Sequence, residues 1–529
     1  MDQPLPLWMI YPVIFAALCA THFKLLNLPY YWDEAGYYIP AAWDLFHKGL
    51  LIPVSTLSNA HPPLPSVYLA LWWLASGFTP YVTREAVMLV ATFGLLGVWR
   101  LAMRLNPQPL VAFWTVVLTA LYPIWFTQST LAHADIFAAA FTLWGLGDAL
   151  PAEKRRPWAA AFWFALAALS KETAIIFPAA LALIDLVQLA RPGARERKVL
   201  FTGALWLAAS ALPLAAWYVY HHAVTGYFFG NPEFLRYNAS ANLDPLRFAL
   251  ALLHRLLHLT AHMNLFVPVL CSVGALFFAP ALNHKGDPRP FLAPDALRRI
   301  LVLLLANALL FSVLGGALLT RYLLPLYPLV LLVAISIFYQ RVRYWQLLAL
   351  FSAAAFLLAL FINPPYGIAP EDNLSYASFI RLHQHAIGYL TARDAGATVL
   401  SAWPGTDELT RPELGYVKQP FDVYRVEDFS APQITRAEGD AMQYSAAFLF
   451  STKINPPQPA FFARDQKMEA RYFGLHRDLS PEEAVKILGG EIVWREEDRG
   501  LWAAVVRFDH PIEAAMPGST GQRAALEAR

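Results

Sequence analysis

The sequence predicts a polytopic α-helical membrane protein followed by a small α/β domain. Three observations predict this fold class. Of the 529 residues 57% are hydrophobic and only 15% charged, with a mean hydropathy of +0.41, far from the balance of an average soluble domain. Apolar runs recur as far as Phe361, each near the length one bilayer crossing needs. Beyond Asn363-Pro364-Pro365 the composition changes, and charges return at ordinary density. The formal charge of +2 and the scattered basic residues argue against a nucleic-acid partner. Cys19 and Cys271 both lie inside apolar runs, which excludes a disulfide framework.

Leu7 to Phe23 is read as the first crossing. An export signal fits poorly, because no Lys or Arg precedes the run and further apolar runs follow. The next crossings are expected near Arg84 to Arg104, Val111 to Phe126, Ala134 to Leu150, Trp158 to Leu169 and Ala174 to Leu189. Others follow near Phe201 to Tyr220, Met263 to Pro280, Arg299 to Gly315, Tyr322 to Phe338 and Trp345 to Phe361. That makes about eleven by the length rule. Pro65 to Phe78 reads as a partly immersed helix that turns back at Gly77 to Pro80.

Basic residues orient these crossings. Arg100 and Arg104, Lys154-Arg155-Arg156, the Arg191 to Lys198 group, the Lys285 to Arg299 group, and Arg341 with Arg343 all fall on one side. The positive-inside rule makes that side the cytoplasm. The loop holding Asp33-Glu34, the turns at Thr127 to His133, Ser170 to Thr173 and Thr320 to Tyr322, and the C-terminal domain are then extracytoplasmic, on a plasma (inner) membrane protein.

Three regions follow from this threading: a membrane domain over 1–362, an extracytoplasmic α/β domain over 363–509, and a loose tail over 510–529. In the second, Leu374 to Ala392 reads as an amphipathic helix, and Ala397 to Trp403 and Ala446 to Phe450 as strands. Ser480-Pro481-Glu482-Glu483 has the pattern of a capped helix start. Glu491 to Trp494 and Leu501 to Phe508, separated by polar Arg495 to Gly500, read as a hairpin.

Polar residues at the outer boundary carry the functional argument. Asp33 and Glu34, crowded by Tyr30, Tyr31, Trp32, Tyr37 and Tyr38, read either as a general base with a supporting acid or as a solvated pair at a loop start. His61, before Pro62-Pro63, is a functional imidazole or a turn residue held extended by its neighbours. Asp135 opens a crossing, where a carboxylate faces a protein cavity or the free N–H groups of the first turn. Lys171-Glu172 reads first as an ion pair across a tight turn. Arg321-Tyr322 sets a cation and a phenol at the mouth of a Pro-interrupted helix, suited to phosphate or to snorkelling. His254, His258 and His262, spaced by four, share a helix face that could hold a metal or could line the headgroups as a polar stripe. Trp72-Trp73 fits an aromatic belt.

Together, Asp33-Glu34 after the first crossing, His61-Pro62-Pro63-Leu64 in the same loop, Asp135 opening a later crossing and Arg321-Tyr322-Leu323-Leu324-Pro325 before a late one resemble the GT-C glycosyltransferases. More narrowly, they resemble the group holding protein O-mannosyltransferases and lipid A aminoarabinose transferases. His61 stands where the aminoarabinose transferases have Lys-Pro-Pro-Leu, and is closer to the mannosyltransferases. The resemblance implies a multi-pass enzyme of the cell envelope that moves a hexosyl or pentosyl group from a polyprenyl-phosphate donor to a hydroxyl of a lipid, glycan or protein, with inversion. It implies Asp33 as base with Glu34 assisting, and Arg321, Tyr322 and His61 on the donor phosphate. Asp135, Tyr37, Lys171 and Glu172 would line the cavity or meet the acceptor, and Asp33, Glu34 and His61 would be the ligands of any divalent metal ion. The competing reading is an ion-coupled transporter, since intramembrane acids and Pro-broken helices also mark ion pathways.

Overall fold

A computed structural model describes residues 6–151, 155–191, 197–230, 232, 244–314, 317–454, 456, 470–473 and 477–509. The expected tail over 510–529 lies outside them. The chain divides into two compact units. The first comprises 1–28, 36–364 and 371–374, and the second 29–35, 365–370 and 375 onward. The Asp33-Glu34 segment thus packs with the C-terminal unit, and a four-residue piece of the chain after the last membrane helix packs with the membrane unit.

The first unit is a multi-pass helical membrane body. Among the described residues, Pro80–Leu105, Glu172–Leu189, Arg197–Thr225 and Pro294–Val313 are each long and apolar enough to cross a bilayer, and six shorter apolar helices accompany them. Helices occur at all the segments expected from the sequence, but several are broken. Pro109–Leu121 stops at extended Tyr122, whose successor Pro123 starts the short helix Pro123–Gln128; a residue before proline is pushed out of the helical region. The straight crossing expected over Met263 to Pro280 is replaced by a bend of 94° between Pro245–Asn264 and Phe266–Ala275. Left-handed backbone at Met263 and Asn264 (φ 49° and 65°) makes the bend. Leu64–Ser76 ends at Gly77, whose φ of 81° suits glycine.

Close helix packing uses small residues, as membrane bodies do. A Cβ on Gly145 would lie 2.8 Å from the Phe164 ring, and one on Gly97 2.9 Å from Trp144. Four of the basic residues used to orient the chain are paired: Arg100 and Arg104 both donate to Asp148 at 2.6 Å, and buried Asp185 takes Arg155 at 2.6 Å and Arg299 at 2.8 Å.

The second unit holds a five-stranded sheet: β1 (Thr398–Ala402), β2 (Asp422–Val426), β3 (Ala446–Phe450), β4 (Glu491–Asp498) and β5 (Leu501–Arg507), in the order β2-β1-β3-β5-β4. The β1–β2 and β1–β3 pairs are parallel, the β3–β5 and β4–β5 pairs antiparallel. The hairpin is tighter than its sequence suggested. Strand β4 runs on through Arg495 to Asp498, leaving only Arg499 and Gly500 as a turn, both with positive φ. Ser401 Oγ, inside β1, donates to Phe448 O at 2.9 Å, and helix Ser375–Arg393 packs on this sheet.

Helix Pro481–Leu488 carries the expected capping box: Glu483 N–H donates to Ser480 Oγ at 3.2 Å and Ser480 N–H to Glu483 Oε2 at 2.9 Å. Ser480→Ala is expected to destabilise this helix by about 1 kcal/mol. Faster amide hydrogen exchange confined to 481–488 is the expected readout.

Candidate active site

Four elements of the membrane unit build a charged cluster around one phenol. Asp135 sits in the first turn of helix Ala134–Ala149, 3% exposed. Helix Pro157–Ser170 ends at Lys171, whose extended backbone turns the side chain inward. Lys171 Nζ donates to Asp135 Oδ1 at 2.6 Å and lies 4.0 Å from the centre of the Tyr322 ring. Arg321 and Tyr322 lie on the 3-10 turn Thr320–Leu323, ahead of the helix proper, which begins only at Tyr327 with Pro328 in its first turn. Arg321 Nε is 3.4 Å from Asp135 Oδ2, and its Nη1 donates to both oxygens of Glu371.

A third cation reaches the same ring. The Arg255 guanidinium carbon is 5.7 Å from the Tyr322 centroid, on a fully buried side chain. Its Nε donates to Phe311 O at 3.1 Å and Nη1 to Leu319 O at 2.8 Å, and Nη2 has no partner among the described residues. No carboxylate pairs with Arg255 among them, and a buried charge without a counter-ion is costly. Tyr322 itself stacks on Phe311 with centroids 5.3 Å apart. A small cavity of about 20 Å³ lies beside this cluster, with Asp135, Lys171, Arg321, Tyr322 and Asn307 on its polar side and Phe177, Phe311 and Pro325 among its apolar walls.

The segment after the last membrane helix, absent from the sequence reading, closes the cluster. Thr127 Oγ1 donates to Glu371 O at 2.6 Å, the Thr320 hydroxyl donates to Asp372, and His262 Nε2 donates to Asp372 Oδ2 at 3.2 Å. Asn373 Nδ2 donates to Asn363 Oδ1 at 2.8 Å. His133, fully buried, meets Gln128 Oε1 at 2.9 Å through Nδ1. Burial, then Arg321, Lys171 and Arg84, hold its pKa well below the usual imidazole range, so the ring is neutral. Glu371 and Asp372 escaped detection because Pro370-Glu371-Asp372 looks like an ordinary soluble turn. The detectable signal was two adjacent acids just past the last apolar run, a repeat of the Asp33-Glu34 pattern.

His61 forms a neighbouring group. Its Nδ1 donates to Glu172 Oε2 at 3.0 Å, and its ring lies 5.4 Å from Tyr37 and 5.9 Å, stacked, from Tyr38. The ion pair expected between Lys171 and Glu172 is therefore not made: Lys171 turns to Asp135 and Glu172 to His61. The break between helix and 3-10 turn at Lys171 sends adjacent side chains opposite ways. The helix carrying His254 and His258 ends at Thr260, and His262, its ring 5.1 Å from that of His258, meets Asp372. Among the described residues no three His, Cys, Asp or Glu side chains are grouped to hold a metal ion.

In the second unit, Asp33 and Glu34 separate in role. Glu34 is fully buried, and its Oε2 accepts the Tyr31 N–H at 2.9 Å while its own N–H donates to Tyr31 O at 2.8 Å. Asp33 is half-buried. Trp32, with φ of 45°, packs 4.9 Å from Trp403 and 5.8 Å from Phe379. A positive φ on so bulky a residue is strained and occurs where surrounding packing imposes it.

The fold is similar to that of a solved membrane protein. The particular structure that carries the comparison is ArnT from Cupriavidus metallidurans bound to undecaprenyl phosphate, matched with a TM-score of 0.50 at 14% identity over 94% of this chain and 98% of that one. The apo form of the same protein gives 0.49 at 14% identity over 94% and 97%. An Archaeoglobus fulgidus oligosaccharyltransferase gives 0.39 at 13% identity over 80% and 62%. No family model and no curated protein matches the chain.

Proposed function

We propose that this chain is a membrane glycosyltransferase that moves a sugar from a polyprenyl-phosphate donor to a hydroxyl acceptor on the extracytoplasmic face. The observation that carries the reading is the gathering of Lys171, Arg255 and Arg321 around Tyr322 at a cavity with apolar walls. Guanidinium groups suit phosphate by their forked donors, and an apolar wall beside them suits the start of a lipid chain. The fold shared with a protein captured with undecaprenyl phosphate supports the same ligand class.

In this reading about eleven crossings hold the donor headgroup at the membrane edge. The acceptor oxygen bonds to the anomeric carbon as the bond from that carbon to the phosphate oxygen breaks, and the configuration inverts. Asp33 takes the hydroxyl proton, a role within reach of a half-buried carboxylate, while Glu34 braces the turn through the Tyr31 N–H. Arg321, with Arg255 and Lys171, offsets the charge on the departing phosphomonoester. Tyr322 and His61, which is tied to Glu172, take the donor-phosphate side, and Tyr37 beside His61 borders the cavity. The acceptor is a lipid, glycan or protein hydroxyl.

The purified full chain incubated with a panel of polyprenyl-phosphate sugars is expected to release free polyprenyl phosphate and glycosylate an acceptor with at least one of them. Ion-coupled flux in proteoliposomes without any sugar transfer would overturn the reading. A covalent sugar on Asp33 or Glu34, seen by intact mass, would overturn inversion.

A further inference from the structure

Strand β1 of the C-terminal sheet lies between β2 and β3 and runs parallel to both. The chain leaves β1 for β2 on one side, then crosses back past β1 to reach β3. Open α/β sheets bind ligands outside the carboxyl ends of their strands, at the point where such connections diverge. Here that point lies between β1 and β3. The residue that follows β1 is Trp403, 36% exposed and the one exposed tryptophan among the described residues of its unit.

A second indole is held against it. Trp32 comes from the 29–35 segment of the same unit, and its ring lies edge-to-face, 4.9 Å from Trp403 and 5.8 Å from Phe379 of helix Ser375–Arg393. Tyr31, 5.4 Å from Phe379 and 5.9 Å from Tyr376, anchors the segment. Trp32 takes its place at a φ of 45°, a costly backbone for so large a residue; strain of this kind gathers at ligand clamps, where neighbours over-determine it. The chain beyond Trp403 is also pinned, because a Cβ on Gly405 would stand 2.7 Å from the Phe450 ring. Single exposed aromatics are ordinary on a protein surface. Two indoles brought together from distant parts of the chain, one strained and followed by the half-buried Asp33, are a prepared surface.

The chemistry of this surface selects its occupant. An indole face is electron-rich and suits the polarised C–H bonds on one face of a pyranose. A carboxylate nearby takes sugar hydroxyls by charge-assisted hydrogen bonds, whereas it would repel a phosphate or sulfate. We propose that Trp32 and Trp403 form a saccharide-binding platform that takes a sugar ring of the acceptor, which narrows the acceptor to a glycan or glycolipid. The service to the acceptor rests on the reading of Asp33 as the base of a glycosyltransferase; the platform itself does not.

The test measures, by calorimetry, binding of cellotriose, maltotriose and mannotriose to the full chain in nanodiscs. The wild type is expected to bind at least one of them. Trp403→Ala is expected to raise that Kd about tenfold, and Trp403→Phe to keep most of the affinity, because a phenyl face still stacks. If the alanine variant melts early, Trp403→Leu, which keeps apolar bulk without a ring face, gives the same contrast with Trp403→Phe. An unchanged Kd in a variant that retains its melting profile overturns the proposal. So does a wild type that binds none of the oligosaccharides, and binding of choline alone would mark a cation cage in its place.

Turnover separates the platform from the wider reading. With a saccharide acceptor, Trp403→Ala is expected to raise acceptor KM about tenfold while kcat and donor KM change by less than about twofold. Equal losses in all three overturn the acceptor role. Equally efficient transfer to an acceptor without a sugar ring also overturns it, and leaves the glycosyltransferase reading standing. Oligosaccharide binding that depends on Trp403, in a chain that transfers no sugar from any donor, supports the platform and overturns the transferase.

Discussion

Asp33→Asn is expected to lower kcat for sugar transfer by about 10²- to 10⁴-fold, the usual contribution of a positioned general base, with little change in donor affinity. Asparagine has the shape of aspartate but cannot accept the acceptor's proton. Steady-state kinetics with the productive polyprenyl-phosphate sugar would check it, with donor KM and the melting profile measured beside kcat. Glu34→Gln is the companion: its carbonyl oxygen can still accept the Tyr31 N–H, so the turn survives and the loss should be much smaller. Normal turnover in Asp33→Asn would remove Asp33 from the chemistry.

Removal of Arg321 has the second large effect, and it acts on stability and donor use together. Arg321→Ala leaves Glu371 and Asp135, each 3% exposed, without the guanidinium between them. Breaking such a buried pair costs about 3–5 kcal/mol, so the melting temperature is expected to fall sharply. Arg321→Lys separates the two effects. It keeps the charge and loses the fork, so the protein should fold while donor KM rises by about 10- to 100-fold, the equivalent of one or two charge-assisted hydrogen bonds. A stable Arg321→Lys variant with wild-type donor KM would rule out the phosphate role.

Legibility differed between the two halves of the site. Asp135, Lys171, Arg321 and Tyr322 announced themselves as polar residues at the ends of apolar runs, because a charge left in lipid is expensive and so marks a cavity. Their pairing did not announce itself. Proximity in sequence suggested Lys171 with Glu172, whereas the helix end at Lys171 turns one to Asp135 and the other to His61. Arg255 was hidden inside Leu250 to Leu259, where one arginine amid leucines reads as a snorkelling side chain, yet it is fully buried. In the second unit, β2 was missed because Asp422-Val423-Tyr424-Arg425-Val426 is short and half polar, as an edge strand is.

Hydropathy and charge placement by themselves determined the fold class, the position of the membrane helices and a set of polar candidates at their ends, since burial in lipid penalises polar groups residue by residue and leaves a local record in the chain. Tertiary structure alone decided that Asp33-Glu34 packs with the C-terminal unit, that Glu371 and Asp372 return to the membrane unit, and which cation meets which carboxylate. Those are contacts between residues far apart in the chain, 36 positions for Lys171–Asp135, 50 for Arg321–Glu371 and 110 for His262–Asp372. Their energies depend on distance and burial in the folded state, and no local pattern encodes either.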